Sequence, residues 1–268
     1  MLTAAVVTHD VAVGTTGGFG HPGPAVPHQL FVGRQGIFTQ AGDLHGHEFL
    51  YRAGHEHSLR VDRWSPQAQD RATLKVLEAT FTSCGALTST ADTLVFINFT
   101  RSFIVDALSV PPLPSHLVIE VVESVRADAD VLAGVARLRC EGFRIALDDF
   151  AGLDSQCALL PYADYVKVDM RDLVLQGPAL RDLARSHGAT LVAERLETVE
   201  DLEACQALGF DLFQGNVLEV AQTIQRAALP ASRWHTIRDT VPTQAPSLTS
   251  EGTAISMGAP EAVEAARF

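Results

Sequence analysis

Apolar residues in this chain fall in short runs that end on acids, amides or an ammonium, and between the runs they recur at helical spacing. The runs 93–98 (TLVFIN), 116–121 (HLVIEV), 143–148 (FRIALD), 164–168 (DYVKV), 189–194 (ATLVAE) and 210–213 (FDLF) have the length and composition of strands buried on both faces. Upstream, LFVGRQGIFTQAGDLHGHEFLYR reads as a hairpin of two strands with a polar turn near Gln40–Asp43. A helix is predicted over 67–83, opened by Ser65-Pro66 and carrying Leu74, Val76, Leu77 and Phe81 near helical spacing. Further helices are predicted near 101–108, 127–141, 154–160, 178–187, 199–208 and 219–228.

Strands that alternate with helices run parallel and are joined by crossovers. With the hairpin, the count reaches about eight, the number that closes a (β/α)8 barrel. A doubly wound open sheet is the alternative, but its Gly-rich phosphate turn is missing from every strand–helix junction. Residues 1–27, rich in Gly, Pro and Thr, read as a flexible leader, and 28–229 as the barrel. Residues 230–268 read as a low-complexity tail, with a short helical pattern at 260–268.

Composition narrows the partners. The 268 residues are 47% hydrophobic and 19% charged, as in a folded soluble protein, with a formal net charge of −12. That balance argues against binding a nucleic-acid polymer, and an anionic substrate would need metal ions to reverse the local field. Cys84, Cys140, Cys157 and Cys205 lack CxxC spacing, so reduced thiols in a cytoplasmic protein are expected. The N-terminus has no basic region and no apolar run approaches the roughly 18 residues of a membrane span. No signal peptide and no membrane partner are expected.

The strand ends carry the chemistry. Glu48 and Arg52 lie on the second hairpin strand. Asn98 ends the next, followed by Glu120 with Glu123 beyond it, Asp148-Asp149, Lys167 with Asp169, Glu194 with Glu197 beyond it, and Gln214-Gly215. In a barrel these ends converge on one mouth. Oxygen donors without Cys or well-spaced His select Mg²⁺ or Mn²⁺ over Zn²⁺. Carboxylates crowded into one mouth repel and raise each other's pKa, which two divalent ions would relieve. Two such ions roughly 3.5–4 Å apart would also hold a water as hydroxide and clamp a phosphodiester. Lys167 could neutralise charge, orient the attacking water or relay its proton. The pattern points to metal-assisted hydrolysis of a phosphate ester.

Simpler roles compete for individual residues. A lone acid at a strand end is commonly a helix cap or a solvated group. Glu197 and Asp169 suit salt-bridge or capping roles, and Glu123 suits bracing of a neighbouring loop. His45, His47, His55 and His57 flank Glu48 and raise a transition-metal reading, but they straddle a turn.

Taken in order, the segments resemble the EAL-domain family, whose members hydrolyse cyclic di-GMP to the linear dinucleotide pGpG. HEFLYR (47–52) corresponds to the motif that names the family, INFT (97–100) to its Asn segment and VIEVVES (118–124) to its ExxE strand. ALDDF (146–150) matches DDF, VKVD (166–169) matches KID, AERLE (193–197) matches AEGVE and LFQGN (212–216) matches QG. The resemblance covers about residues 28–220. It implies a modified β/α barrel whose first strand is antiparallel to the others. It also implies that Glu48, Asn98, Glu120, Asp148, Asp149 and Glu194 hold two Mg²⁺ or Mn²⁺ ions. Lys167, Glu194 and Asp149 would then be the catalytic groups, with Arg52 and Gln214 contacting substrate or water.

This chain departs from the family pattern in places. Phe49 replaces the Ala of the naming motif, and AGLDSQCALL stands where the family reads close to GTGYSSLSYL, with about two residues fewer before the lysine. In the family that loop is linked to metal occupancy and to dimer-coupled activation, so a homodimer is one expected partner. The shortened loop and the wording PYADYVKVDM resemble EAL domains that precede an HDOD domain. A slow cyclic di-GMP phosphodiesterase is expected. The alternatives are a cyclic di-GMP receptor that barely turns over and a protein-interaction module.

Overall fold

The computed structural model describes residues 29–53, 61, 64–81 and 93–227. The leader at 1–27, the tail from 230 with its helical pattern at 260–268, Cys84, His55 and His57 lie outside the described residues.

The described residues begin with β1 (Gln29–Thr39) and β2 (Leu44–Arg52), an antiparallel hairpin paired from Phe31↔Arg52 to Phe38↔Leu44. The turn forms where Thr39, Gly42 and Asp43 bond one another. Helix α1 (Pro66–Phe81) follows, burying Ala72, Thr73, Val76, Leu77 and Thr80 at the three- and four-residue spacing of one helix face. Leu74, counted from the sequence among its apolar groups, faces solvent instead.

Alternation then begins. β3 (Leu94–Phe99), β4 (Leu117–Val121), β5 (Arg144–Leu147), β6 (Tyr165–Asp169), β7 (Thr190–Glu194) and β8 (Leu212–Phe213) are all parallel to β2 and pair in sequence order. β8 meets β1 antiparallel at Phe38 and Thr39, closing an eight-stranded barrel with its first strand reversed. The crossovers carry α2 (Arg101–Ile104), α3 (Ala129–Cys140), α4 (Asp154–Cys157), α5 (Met170–Gln176), α6 (Pro178–Arg185) and α7 (Val199–Ala207). Caps fix the starts of several: Asp128 accepts from Val131 N at 3.0 Å ahead of α3, and Thr198 and Asp201 form a reciprocal box ahead of α7.

One element corrects the sequence reading. The helix expected at 219–228 is a ninth strand, β9 (Gln222–Ala227), antiparallel to β1 from Gln29↔Ala227 to Arg34↔Gln222. β8 is two residues long and leaves most of that edge of β1 open, so the next segment completes the ladder there. α5 was not foreseen, because its apolar Val174 and Leu175 point outward, 69% and 81% exposed.

The barrel interior is built in layers. Ile37, Phe96, Val118, Ala146, Tyr165, Val192 and Leu212, one each from β1 and β3 to β8, form one buried cluster. β2 supplies Gly46 at this level, paired with Ile37. A Cβ on Gly46 would come within 2.7 Å of the Phe96 ring, so only glycine lets that ring fill the barrel. Burying a side chain of this size stabilises the fold by roughly 1.5–3 kcal/mol. This apolar layer is the floor on which the polar site rests.

Candidate active site

Side chains on a strand return to the same face every second residue. Two positions beyond the apolar layer, the parallel strands and their ends present Glu48, Asn98, Glu120, Asp148, Lys167, Glu194 and Gln214. β1 runs the other way, so its member of this layer is found by counting back from Ile37 to Gln35. Eight strands therefore contribute a ring of polar groups directly above an apolar floor.

Lys167 occupies the centre. Its side chain is wholly buried, and Nζ lies 2.7 Å from Glu120 Oε1, 2.8 Å from Glu194 Oε1, 2.9 Å from Asp148 Oδ1 and 3.2 Å from Glu48 Oε1. Burial alone would push the ammonium down, but the four carboxylates outweigh it and hold Lys167 well above its ordinary value. One cation cannot balance four anions. Burial, and then the neighbouring acids, push Glu120 and Glu194 well above the usual carboxylate range despite Lys167.

The remaining ring members brace it. Gln214 Nε2 donates to Glu48 Oε2 at 2.6 Å and to Gln35 Oε1 at 3.3 Å, while Gln35 Nε2 donates to Glu219 O at 2.9 Å. Gln214 is held at this level by Gly215, where a Cβ would sit 2.1 Å from the Leu196 carbonyl oxygen. Arg52 lies on the Glu48 face of β2, its guanidinium packed over Gly33 of β1. Burial lowers its pKa, and Glu48 opposes that.

Two observations bear on a cation. One oxygen each of Glu48, Glu120 and Asp148 lie within 4.8 Å of one another. Glu120 Oε2 and Asn98 Oδ1 are buried with no hydrogen-bond partner among the described residues. Buried acceptors left open in an acidic ring are the donor set that a hard divalent cation takes, so these residues fit such a cation. No histidine among the described residues joins the set: His45 bonds the Tyr165 hydroxyl at 3.1 Å at the level of the floor, and burial lowers the pKa of both His45 and His47.

Asp149 stands on the rim beside the ring, outside the three converging oxygens. Burial and the Asp148 charge raise it to about 7, against the pull of Arg195. Its loop is bolted by Gln156, a buried residue with no signal in the sequence: Nε2 donates to Asp149 O at 2.9 Å, and Oε1 accepts from Ala151 N at 2.9 Å and Leu153 N at 3.2 Å. Glu123 is exposed, close enough to Asp149 to raise its pKa further. Asp169 is buried, caps α5 by accepting from Arg171 N at 2.8 Å, and pairs with Arg195 Nε at 2.8 Å. Glu197 is exposed beside the α7 cap, its backbone N–H donating to Asp201 at 3.2 Å.

Known proteins share this frame. The chain is 28% identical over 204 residues to the cyclic di-GMP phosphodiesterase CdgJ of Vibrio cholerae serotype O1, covering 74% of this chain. It spans about half the length of the curated relatives it matches, 46% of each. Its fold matches that of the Bacillus subtilis YkuI protein, solved with cyclic di-GMP and calcium, at TM-score 0.57 and 22% identity, covering 77% of this chain and 59% of that one. Klebsiella pneumoniae BlrP1, as a manganese/cyclic di-GMP complex, matches at TM-score 0.55 and 25% identity, covering 76% and 60%. No helix among the described residues is long and apolar enough to cross a membrane. The EAL domain model matches residues 29–220, and the chain belongs to that family.

Proposed function

We propose that this protein is a metal-dependent phosphodiesterase that hydrolyses cyclic di-GMP to pGpG. The observation that carries the reading is the ring around Lys167, in which four carboxylates share one buried ammonium while Glu120 Oε2, Asn98 Oδ1 and Gln214 Oε1 stay open. Glu48, Asn98, Glu120, Asp148 and Glu194 would hold Mg²⁺ or Mn²⁺ there, with Asp149 beside them on the rim. Bound ions of this kind polarise phosphate oxygens and lower the pKa of a bound water toward neutrality. Lys167 spaces the carboxylates and holds positive charge at the centre. Gln214, itself held by Gln35, fixes the Glu48 carboxylate, and Arg52 on the same face of β2 meets the phosphate anion.

Turnover by this reading is slow. The loop after Asp149 is short and places that carboxylate on the rim, where an error of position costs rate before it costs affinity. The protein acts in the cytoplasm, and a homodimer is part of the same reading, supported by exposed Val174 and Leu175 on α5. A second reading, a receptor that binds cyclic di-GMP without cleaving it, is favoured by the Arg195 guanidinium lying 3.9 Å from Asp149 Oδ2.

One experiment separates them. Pure protein is incubated with cyclic di-GMP and Mg²⁺ or Mn²⁺, and binding and pGpG formation are followed together. The phosphodiesterase makes pGpG, and Asp148→Asn lowers its turnover by orders of magnitude while the fold survives. Binding without product supports the receptor, and no binding at all leaves a protein-interaction module.

A further inference from the structure

Asp149 and Arg195 share an unusual backbone. Both hold the left-handed conformation, at φ 44° and 57°, and Asp106 is the one other non-glycine residue among those described that does so. Aspartate tolerates this region, but arginine has no intrinsic reason to enter it. Such a conformation persists only where the surroundings hold it in place.

The hold on Arg195 is visible. Its Nε lies 2.8 Å from Asp169 Oδ2, and the Asp169 side chain is 3% exposed and tied to Arg171 through Nε at 3.0 Å. From that anchor Nη2 reaches to 3.9 Å from Asp149 Oδ2. Asp149 is fixed from the other side by Gln156 through its carbonyl oxygen. Each of the two directly follows a ring member, Asp148 and Glu194 respectively. The strained backbone thus delivers one guanidinium to the rim carboxylate nearest the ring.

Lys167 already supplies the positive charge inside the ring, so Arg195 supplies it outside. We propose that Arg195 is a positioning residue that compensates Asp149, so that the barrel mouth takes up one divalent cation tightly and a second only weakly. The inference rests on the metal-dependent reading. A guanidinium held beside Asp149 repels a cation that would use this carboxylate, while Glu48, Glu120 and Asp148 remain available to the first ion.

The test is a calorimetric Mn²⁺ titration of the full chain without substrate, comparing wild type with Arg195→Gly and Arg195→Gln. Glycine accepts the left-handed backbone, and glutamine keeps the length of chain while removing the charge. Thermal melts confirm that both variants fold. Wild type is expected to show one tight and one weak site, and both variants to tighten the weak site by about tenfold with the tight site unmoved. Isotherms of both variants that superpose on wild type overturn the inference while leaving the metal-dependent reading intact. Tightening in Arg195→Gly alone overturns it too, because backbone relief rather than charge would be the cause. No Mn²⁺ uptake by any of the three proteins brings down both the inference and the reading beneath it.

Discussion

Lys167 Nζ and Glu120 Oε1 lie 2.7 Å apart with both side chains wholly buried. A buried ion pair is weak evidence for stability, because desolvation of the two charges offsets their attraction. Removing one partner is another matter, since it leaves the other charge buried and uncompensated. At this site the loss would strand four carboxylates at once.

Lys167→Met is therefore expected to cost roughly 3–5 kcal/mol in the metal-free protein at neutral pH, with Mn²⁺ restoring part of it. Urea unfolding with and without Mn²⁺ measures both effects. Lys167→Ala should lower kcat far more than it weakens substrate binding if the ammonium orients the nucleophile. Weakened binding with an unchanged kcat would make it a phosphate anchor.

Stability should fall with rising pH in the metal-free state. Burial, with Asp148, raises Asp149 to about 7, and burial raises Glu120 and Glu194 as well. In each case the folded protein holds a proton that the unfolded chain has released, so the contribution is full below about pH 4 and shrinks as pH rises, the Asp149 share being lost as pH passes through about 7. The shift at Lys167 acts only above its ordinary value and does not enter this window. The thermal midpoint without metal is expected to drop between pH 5 and pH 8, and Mn²⁺ to flatten that slope by replacing the protons. A midpoint that climbs across the same range contradicts the ring electrostatics.

Gln156→Ala tests the loop behind Asp149. The substitution leaves Asp149 O, Ala151 N and Leu153 N without the side chain that binds them, at roughly 0.5–1.5 kcal/mol for each hydrogen bond lost. Looser placement of Asp149 should lower kcat severalfold with KM nearly unchanged. Steady-state kinetics with unaltered kcat would show that the loop is positioned by other contacts.

The ring was legible in the sequence because parallel strands hold inward residues in register, so Glu48, Asn98, Glu120, Asp148, Lys167, Glu194 and Gln214 could be read off the polar residues within or just past the apolar runs. Gln35 was missed because β1 is antiparallel and its inward residue lies mid-strand, before the turn rather than at an end. β9 was misread because QTIQRA carries too few apolar residues to separate helix from strand by period. What decides it is the edge of β1 that β8 leaves open, a fact of tertiary pairing. Gln156 and Arg195 were passed over for a similar reason: AERLE against AEGVE puts Arg195 at a glycine position, but both residues act through atoms that only the folded loops bring near Asp149.

The ring above the apolar floor is proposed to be a divalent-cation centre. Anomalous diffraction at the manganese edge, from crystals grown with Mn²⁺, tests it directly. A strong peak is expected among Glu48, Asn98, Glu120 and Asp148, with the Lys167 ammonium still beside it. Well-diffracting crystals in saturating Mn²⁺ with no peak inside the ring, or with the metal held only at the surface, would contradict it.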